Sequence, residues 1–391
     1  LCTVAACFIA EFQTKAVRVT LYDVGIFHQI LWSLAHGLGF NSTISGAGDF
    51  LLDHFSPSLI LLVPIFKFFK ESPVFLPIAQ AVLLFGGGAA WVFLAARVPG
   101  VAKEFRMKLA AATTVFVVSF DSLWGNLKWG FHENVIGFFC MSWGLAFLFS
   151  QSWDSSKLSR FLRQVAAFCL FLIAAGSKEI LLLDVGLAFL CWAITEGFGW
   201  SKERAGRLNA FFTICLVATA LVLFWQFYRF ETMPHPADKN YFDRYYGYLG
   251  HNLSEFFHTL SLHPWRVVET IGGQELLRYL GRVLLPFGFL PLFLSALVVL
   301  RRRNAARTVS QIGFSPWILA IMPSFASAAL ASYAPLRNSN FHYVLELWPL
   351  LASLTILCLS VTRSIYLIWI WALFSLLRLD HDPVADYREF V

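Results

Sequence analysis

What most restricts this chain is a succession of apolar runs, each close to the length that crosses a bilayer, joined by short polar connections. A spanning helix needs about 20 mostly apolar residues. Such runs fall at roughly 74–97, 107–121, 134–150, 161–177, 180–196, 208–228, 276–300, 313–332, 341–361 and 364–378. The first ten residues read as the end of a truncated N-terminal helix, and the run at 55–69 is short and carries Pro64. Together they predict about ten to twelve membrane helices. The charge content agrees: 14% of residues are charged against 58% hydrophobic, with 41 Phe, 14 Trp and a mean hydropathy of +0.65. A soluble chain carries about 25% charged residues. The predicted class is an all-α, polytopic integral membrane protein, a single transmembrane domain over 1–391 without internal repeats.

The net charge of +6 does not point to nucleic acid, because the basic residues gather in loops between spans. Residues 97–108, 154–163, 202–207 and 301–307 hold Lys and Arg and read as cytoplasmic. They place 122–133, the turn at Lys178, 229–275 and 333–340 on the outer side. The first outer loop, 11–54, joins that side if 55–69 dips into the membrane and returns. The seven cysteines lie in apolar segments without metal-ligand spacing, so they read as small apolar residues.

The outer side gathers the polar chemistry. YDVGIFHQILW, 22–32, carries Asp23, His28 and Gln29; Gly25 permits a tight turn, and from Ile26 apolar residues recur at helical spacing. That pattern predicts an interfacial helix with Asp23 at its N-terminal end, either a helix cap or a general base at the membrane–water boundary. Asp53 and His54 precede Ser56–Pro57, His132 and Glu133 sit in WGFHENV, and Lys178 and Glu179 sit in GSKEI with Asp184 beyond. Ionisable groups at membrane depth are paired, snorkelling or functional. In the large outer loop, 229–275, Asn252 and Glu255 of NLSE predict a capped helix ended by His263–Pro264. YFDRYYGYLG before it suits either sugar stacking or an aromatic belt at the interface. Arg337, His342 and Tyr343 mark a further outer turn able to hold an anion.

The segments YDVGIFHQILWSLAHG, DHFSP, FHEN, the KE of GSKEI, YFDRYYGYLG with HPWRVV, and FHYVLELWP resemble family 2079 of the domains of unknown function. These are bacterial and archaeal predicted membrane proteins, in turn similar to the GT-C superfamily of polytopic glycosyltransferases. The resemblance implies a GT-C-like bundle with outer-face interfacial helices in a bacterial inner membrane. It implies transfer of sugar from a polyprenyl-phosphate donor to an acceptor hydroxyl, with membrane lipids as the other partners. The essential acid of the first outer loop maps onto Asp23, though Val24 stands where many GT-C enzymes have a second acid. Lipid phosphate is a good leaving group, so the reaction needs chiefly a base for the acceptor's proton, which is Asp23, and cations for the phosphate, for which Lys178 and Arg337 are candidates. His28, Gln29, Asp53, His54, His132, Glu133, Glu179, His342 and Tyr343 complete the expected substrate-binding set. No cofactor is implied, although Asp53, His54, His132 and Glu133 are donors that suit Mg or Mn. Two other readings share the sequence. In a transporter or flippase, Lys178, Glu179 and Asp184 couple charge movement and Gly86–Gly88 breaks a helix. In a non-catalytic scaffold the fold is kept and Asp23 is dispensable.

Overall fold

The computed structural model describes residues 2–15, 21–44, 48–52, 54–150, 157–197, 241–292, 317–338 and 342–376. Asp53, the run at 208–228 and the basic loops at 202–207 and 301–307 lie outside the described residues, as does the side chain of His342. The described chain is almost wholly helical. Its helices are α1 (Cys2–Lys15), α2 (Leu21–Ala35), α3 (Val63–Phe68), α4 (Phe75–Arg97), α5 (Lys103–Ser119), α6 (Asp121–Leu127) and α7 (Asn134–Phe149). They continue with α8 (Lys157–Ala175), α9 (Glu179–Gly197), α10 (Tyr241–Tyr246), α11 (Leu253–Leu262), α12 (Trp265–Ile271) and α13 (Gly273–Leu284). The last are α14 (Met322–Leu330), α15 (Trp348–Thr362) and α16 (Ile365–Leu376). A two-residue antiparallel pair, β1 (Asn41–Ser42) with β2 (Gly48–Asp49), closes the loop after α2. Among the described residues three helical stretches are long and apolar enough to cross a membrane: Phe75–Arg97, Lys103–Leu127 and Tyr343–Thr362.

Helices α4 and α7 form the centre. Helix α4 packs on α1, α5 and α7, α7 packs on α8 and α15, and α9 packs on α8 and the 318–330 segment. Small residues make the close approaches, as they do where helices associate in lipid. A Cβ on Gly87 would strike the Phe138 ring and one on Gly88 would strike Val117. Helix α4 runs unbroken through Gly86–Gly88, so this run is a packing groove and not the helix break of the transporter reading. The outer surface is apolar: Phe8, Phe68, Tyr366 and Trp369 are more than 60% exposed, on helices whose other faces are buried. Such a belt is stable against lipid and not against water.

The run expected at 276–300 is not one helix. Helix α13 stops at Leu284 because Pro286 lacks an N–H and Gly288 turns left-handed at φ 58°, capped by Gly288 N–H to the Leu285 carbonyl at 2.8 Å. Before that break α13 is amphipathic, with Glu275, Arg278 and Arg282 on it and Tyr279 and Val283 buried. The segment Pro57–Phe68 forms a short 3-10 turn running into α3, and at 12 residues it falls well below the roughly 20 that a crossing needs.

Candidate functional site

Asp23 stands inside the first turn of α2, not ahead of it: the helix begins at Leu21 and passes through Gly25. Gly25 serves packing instead of a turn, since a Cβ there would come to 3.3 Å from Ile44 on the loop folded over it. The apolar stripe that suggested a surface helix is real, but it faces protein. Ile26, Phe27, Ile30 and Leu31 are all buried, and Phe27 meets Phe50 and Phe131 edge-on at 5.6 and 5.4 Å. Tyr22 and Trp32 form the exposed face.

With α2 so docked, the Asp23 carboxylate comes to 3.6 Å from His132 Nε2. His132 lies in the turn between α6 and α7, buried, and its ring is 6.1 Å from that of Phe27. The aspartate side chain keeps 28% of its surface open against 8% for the histidine, so the pair has one open end and one closed end. Glu133, the next residue, is buried.

Behind this dyad lies a second polar group. Lys178, in the turn between α8 and α9, points its ammonium at Glu346 Oε1, 3.6 Å away, and lies 4.9 Å from the centre of the Tyr343 ring. Glu346 also accepts from Asn134 Nδ2 at 3.0 Å, and its side chain is fully enclosed. Burial by itself would lower the lysine's pKa, but Glu346, Glu133 and Glu179 outweigh it and hold the ammonium above its ordinary value. Tyr343 is in electrostatic reach of Asp23 and Glu133 as well as of Tyr245 and Tyr333, which joins the two groups into one cluster. A neighbouring pair closes its edge: His54 Nδ1 and Phe55 N–H both meet the Glu179 carboxylate, at 3.2 and 3.3 Å. Helix α9 reaches that edge because Gly137 lets it close on α7, where a Cβ would collide with Leu181 and Ser177.

The expected site residues thus divide. Asp23, His132, Glu133, Lys178 and Tyr343 converge, and His54 with Glu179 border them. His28 instead bonds the Glu71 carbonyl at 2.9 Å beside Phe66, and Gln29 ties down β1 by accepting from Thr43 N–H and Ser42 Oγ at 3.0 and 3.1 Å. Arg337 is buried with other partners: it donates to the Ala331 carbonyl and lies in reach of Glu275, Tyr248, Arg282 and Tyr279. Three tyrosines of YFDRYYGYLG, Tyr245, Tyr246 and Tyr248, dock on the α14 end of the bundle. Tyr246 and Tyr248 donate to the Ser327 and Leu330 carbonyls, and Tyr245 stacks on Tyr333 at 5.6 Å. Among the described residues no three His, Cys, Asp or Glu side chains are disposed to hold a metal ion.

Two partners escaped the sequence reading. Glu346 sits in an apolar run, and its only local signal is a single acid among apolar residues. Asp184 was visible, but not Ser324, whose N–H and hydroxyl both bond its buried carboxylate.

The model of the family described as "Predicted membrane protein (DUF2079)" matches residues 16–302. The chain belongs to this family. No curated protein sequence matches this DUF2079 chain. Among solved structures it is similar to ArnT from Cupriavidus metallidurans, crystallised bound to undecaprenyl phosphate. The TM-score is 0.53 at 15% identity, over 99% of this chain and 67% of ArnT. At that identity the likeness establishes a fold: the DUF2079 chain is an all-α polytopic membrane protein with a GT-C-like bundle.

Proposed function

We propose that this protein is a GT-C-type glycosyltransferase of a bacterial inner membrane, moving a sugar from a polyprenyl-phosphate donor to an acceptor hydroxyl on the outer face. The observation that carries the reading is the dyad itself: a part-open carboxylate, Asp23, held against a closed imidazole, His132, at the edge of a buried cluster of charges. The acceptor oxygen forms its bond to the anomeric carbon as the bond from that carbon to the phosphate oxygen breaks. The electron pair leaves with the lipid phosphate, and the hydroxyl proton passes to the Asp23 carboxylate. His132 faces one carboxylate oxygen and leaves the other for the acceptor. Lys178 is enclosed by glutamates, so in this scheme it holds the cluster together. Arg337 is the better cation for the departing phosphate, because its Nε has no hydrogen-bond partner among the described residues. No divalent ion takes part in this scheme.

The test is transfer from a radiolabelled polyprenyl-phosphate sugar by purified protein, alongside a thermal melt. Asp23→Asn is nearly isosteric and should keep the melt while lowering transfer by about 10²–10⁴-fold. An Asn variant that transfers at the wild-type rate removes Asp23 from the mechanism.

A further inference from the structure

One buried side chain that the scheme does not use bears directly on the dyad. Gln80 lies in α4, 2% exposed. Its Nε2 donates to the Asn126 carbonyl at 2.6 Å and its Oε1 accepts from the His132 backbone N–H at 2.9 Å. Asn126 lies in α6 and His132 lies before α7, so one amide clasps both ends of the intervening turn. That turn passes through Gly130 at φ 77° and has no regular ladder to set its shape. The clasp is itself anchored. Asn126 Nδ2 donates to the Ser122 carbonyl at 2.7 Å, and Ser122 Oγ accepts from Trp348 Nε1 at 2.9 Å, two residues beyond Glu346.

The chemistry singles out glutamine. The position needs a donor toward a carbonyl and an acceptor toward an N–H, on one planar group at fixed separation. A carboxylate there would face the Asn126 carbonyl oxygen with its own oxygen. An apolar group would take the acceptor from the buried His132 N–H and leave the Asn126 carbonyl only its bonds within the turn, such as the long one from Trp129 N–H at 3.4 Å.

We propose that Gln80 is the positioning residue of the dyad: its amide fixes the backbone of His132 so that Nε2 meets the Asp23 carboxylate. The functional weight of this rests on the dyad being the reactive pair, but the geometry is testable without activity. Protein labelled with 15N-histidine is studied in micelles, with the His132 ring signals assigned by their loss in His132→Gln. In the wild type, Asp23→Asn should shift those signals. In Gln80→Leu they should start from a different position, and Asp23→Asn should no longer move them. Gln80→Asn, which keeps an amide one methylene too short to reach both partners, serves if the leucine variant does not fold. A shift on Asp23→Asn that is the same with and without Gln80, or absent in the wild type, overturns the proposal.

The same preparations are then assayed for transfer, where kcat should fall about 10- to 100-fold with KM for the donor unchanged. Lost coupling in a protein whose wild type transfers no sugar would sustain the positioning role and sink the transferase reading. Retained coupling in an active wild type would do the reverse.

Discussion

Replacing Glu346 by Gln, or Lys178 by Met, should each destabilise the fold more than replacing both together. The two charges are 3.6 Å apart, with 0% and 8% of their side chains exposed. At an effective dielectric of about 20 their attraction is about 4–5 kcal/mol, against which stands the cost of taking both from water. Removing one partner strands the other, which typically costs about 3–5 kcal/mol. Here Glu133 and Glu179 still face Lys178, and Asn134 still donates to Glu346, so each single change should cost about 2–4 kcal/mol. The double variant strands neither charge and should be more stable than either single variant by at least about 1 kcal/mol. Equilibrium unfolding in mixed micelles, followed by tryptophan fluorescence, measures all four proteins. The pH dependence gives a second check. The folded-state pKa of Lys178 is raised, so its contribution is fully present below the ordinary 10.5 and is lost as pH climbs through the higher folded value. Wild type should therefore lose stability in that alkaline window and Lys178→Met should not. Costs that add in the double variant, or single changes costing under about 0.5 kcal/mol, would refute the reasoning.

Other outcomes follow from single contacts. Gly137→Ala should lower stability by about 1–3 kcal/mol in a melt, because its methyl collides with Leu181 and Ser177 beside Lys178. Asn252→Ala should cost α11 about 1 kcal/mol, seen as faster hydrogen exchange over 253–257, since Asn252 accepts from Glu255 N–H at 2.9 Å. His251 bonds Asp243 at 2.9 Å, which raises its pKa above the ordinary 6.5, so the local order it gives is complete below 6.5 and fades as pH rises past the raised value. Asp243→Asn should bring the His251 NMR titration back to the ordinary range. Transfer should survive EDTA, whereas loss of activity restored by added Mg would show that the scheme omits an ion.

Where structure depends on neighbours in sequence, the chain could be read. The NLSE cap is as expected, with Glu255 reaching back to His251 N–H at 2.9 Å, and His263–Pro264 ends α11. The apolar stripe of α2 was visible too, but hydrophobic spacing alone does not say whether protein or lipid covers it. Gly25 reads as a turn, and in the transporter reading Gly86–Gly88 reads as a helix break, because a glycine's local freedom is legible and the side chain that packs on it is not. In the site, the residue types that converge were identifiable as ionisable groups at the ends of apolar runs. Their pairing was not, because Asn134 and Glu346 meet across 212 positions and no local pattern records it.

The distance along the chain between Lys178 and Glu346 has a consequence for biosynthesis. A ribosome working at about 5–20 residues per second needs on the order of ten to thirty seconds to make the roughly 170 residues between them. For that interval the α8–α9 hairpin is in the membrane with its lysine while the main counter-ion does not yet exist. Glu133 and Glu179, both in reach of the ammonium, are already made or made at once. They are thus the interim counter-ions of the nascent protein, and removing them should lower the yield of inserted protein more than the stability of the finished one.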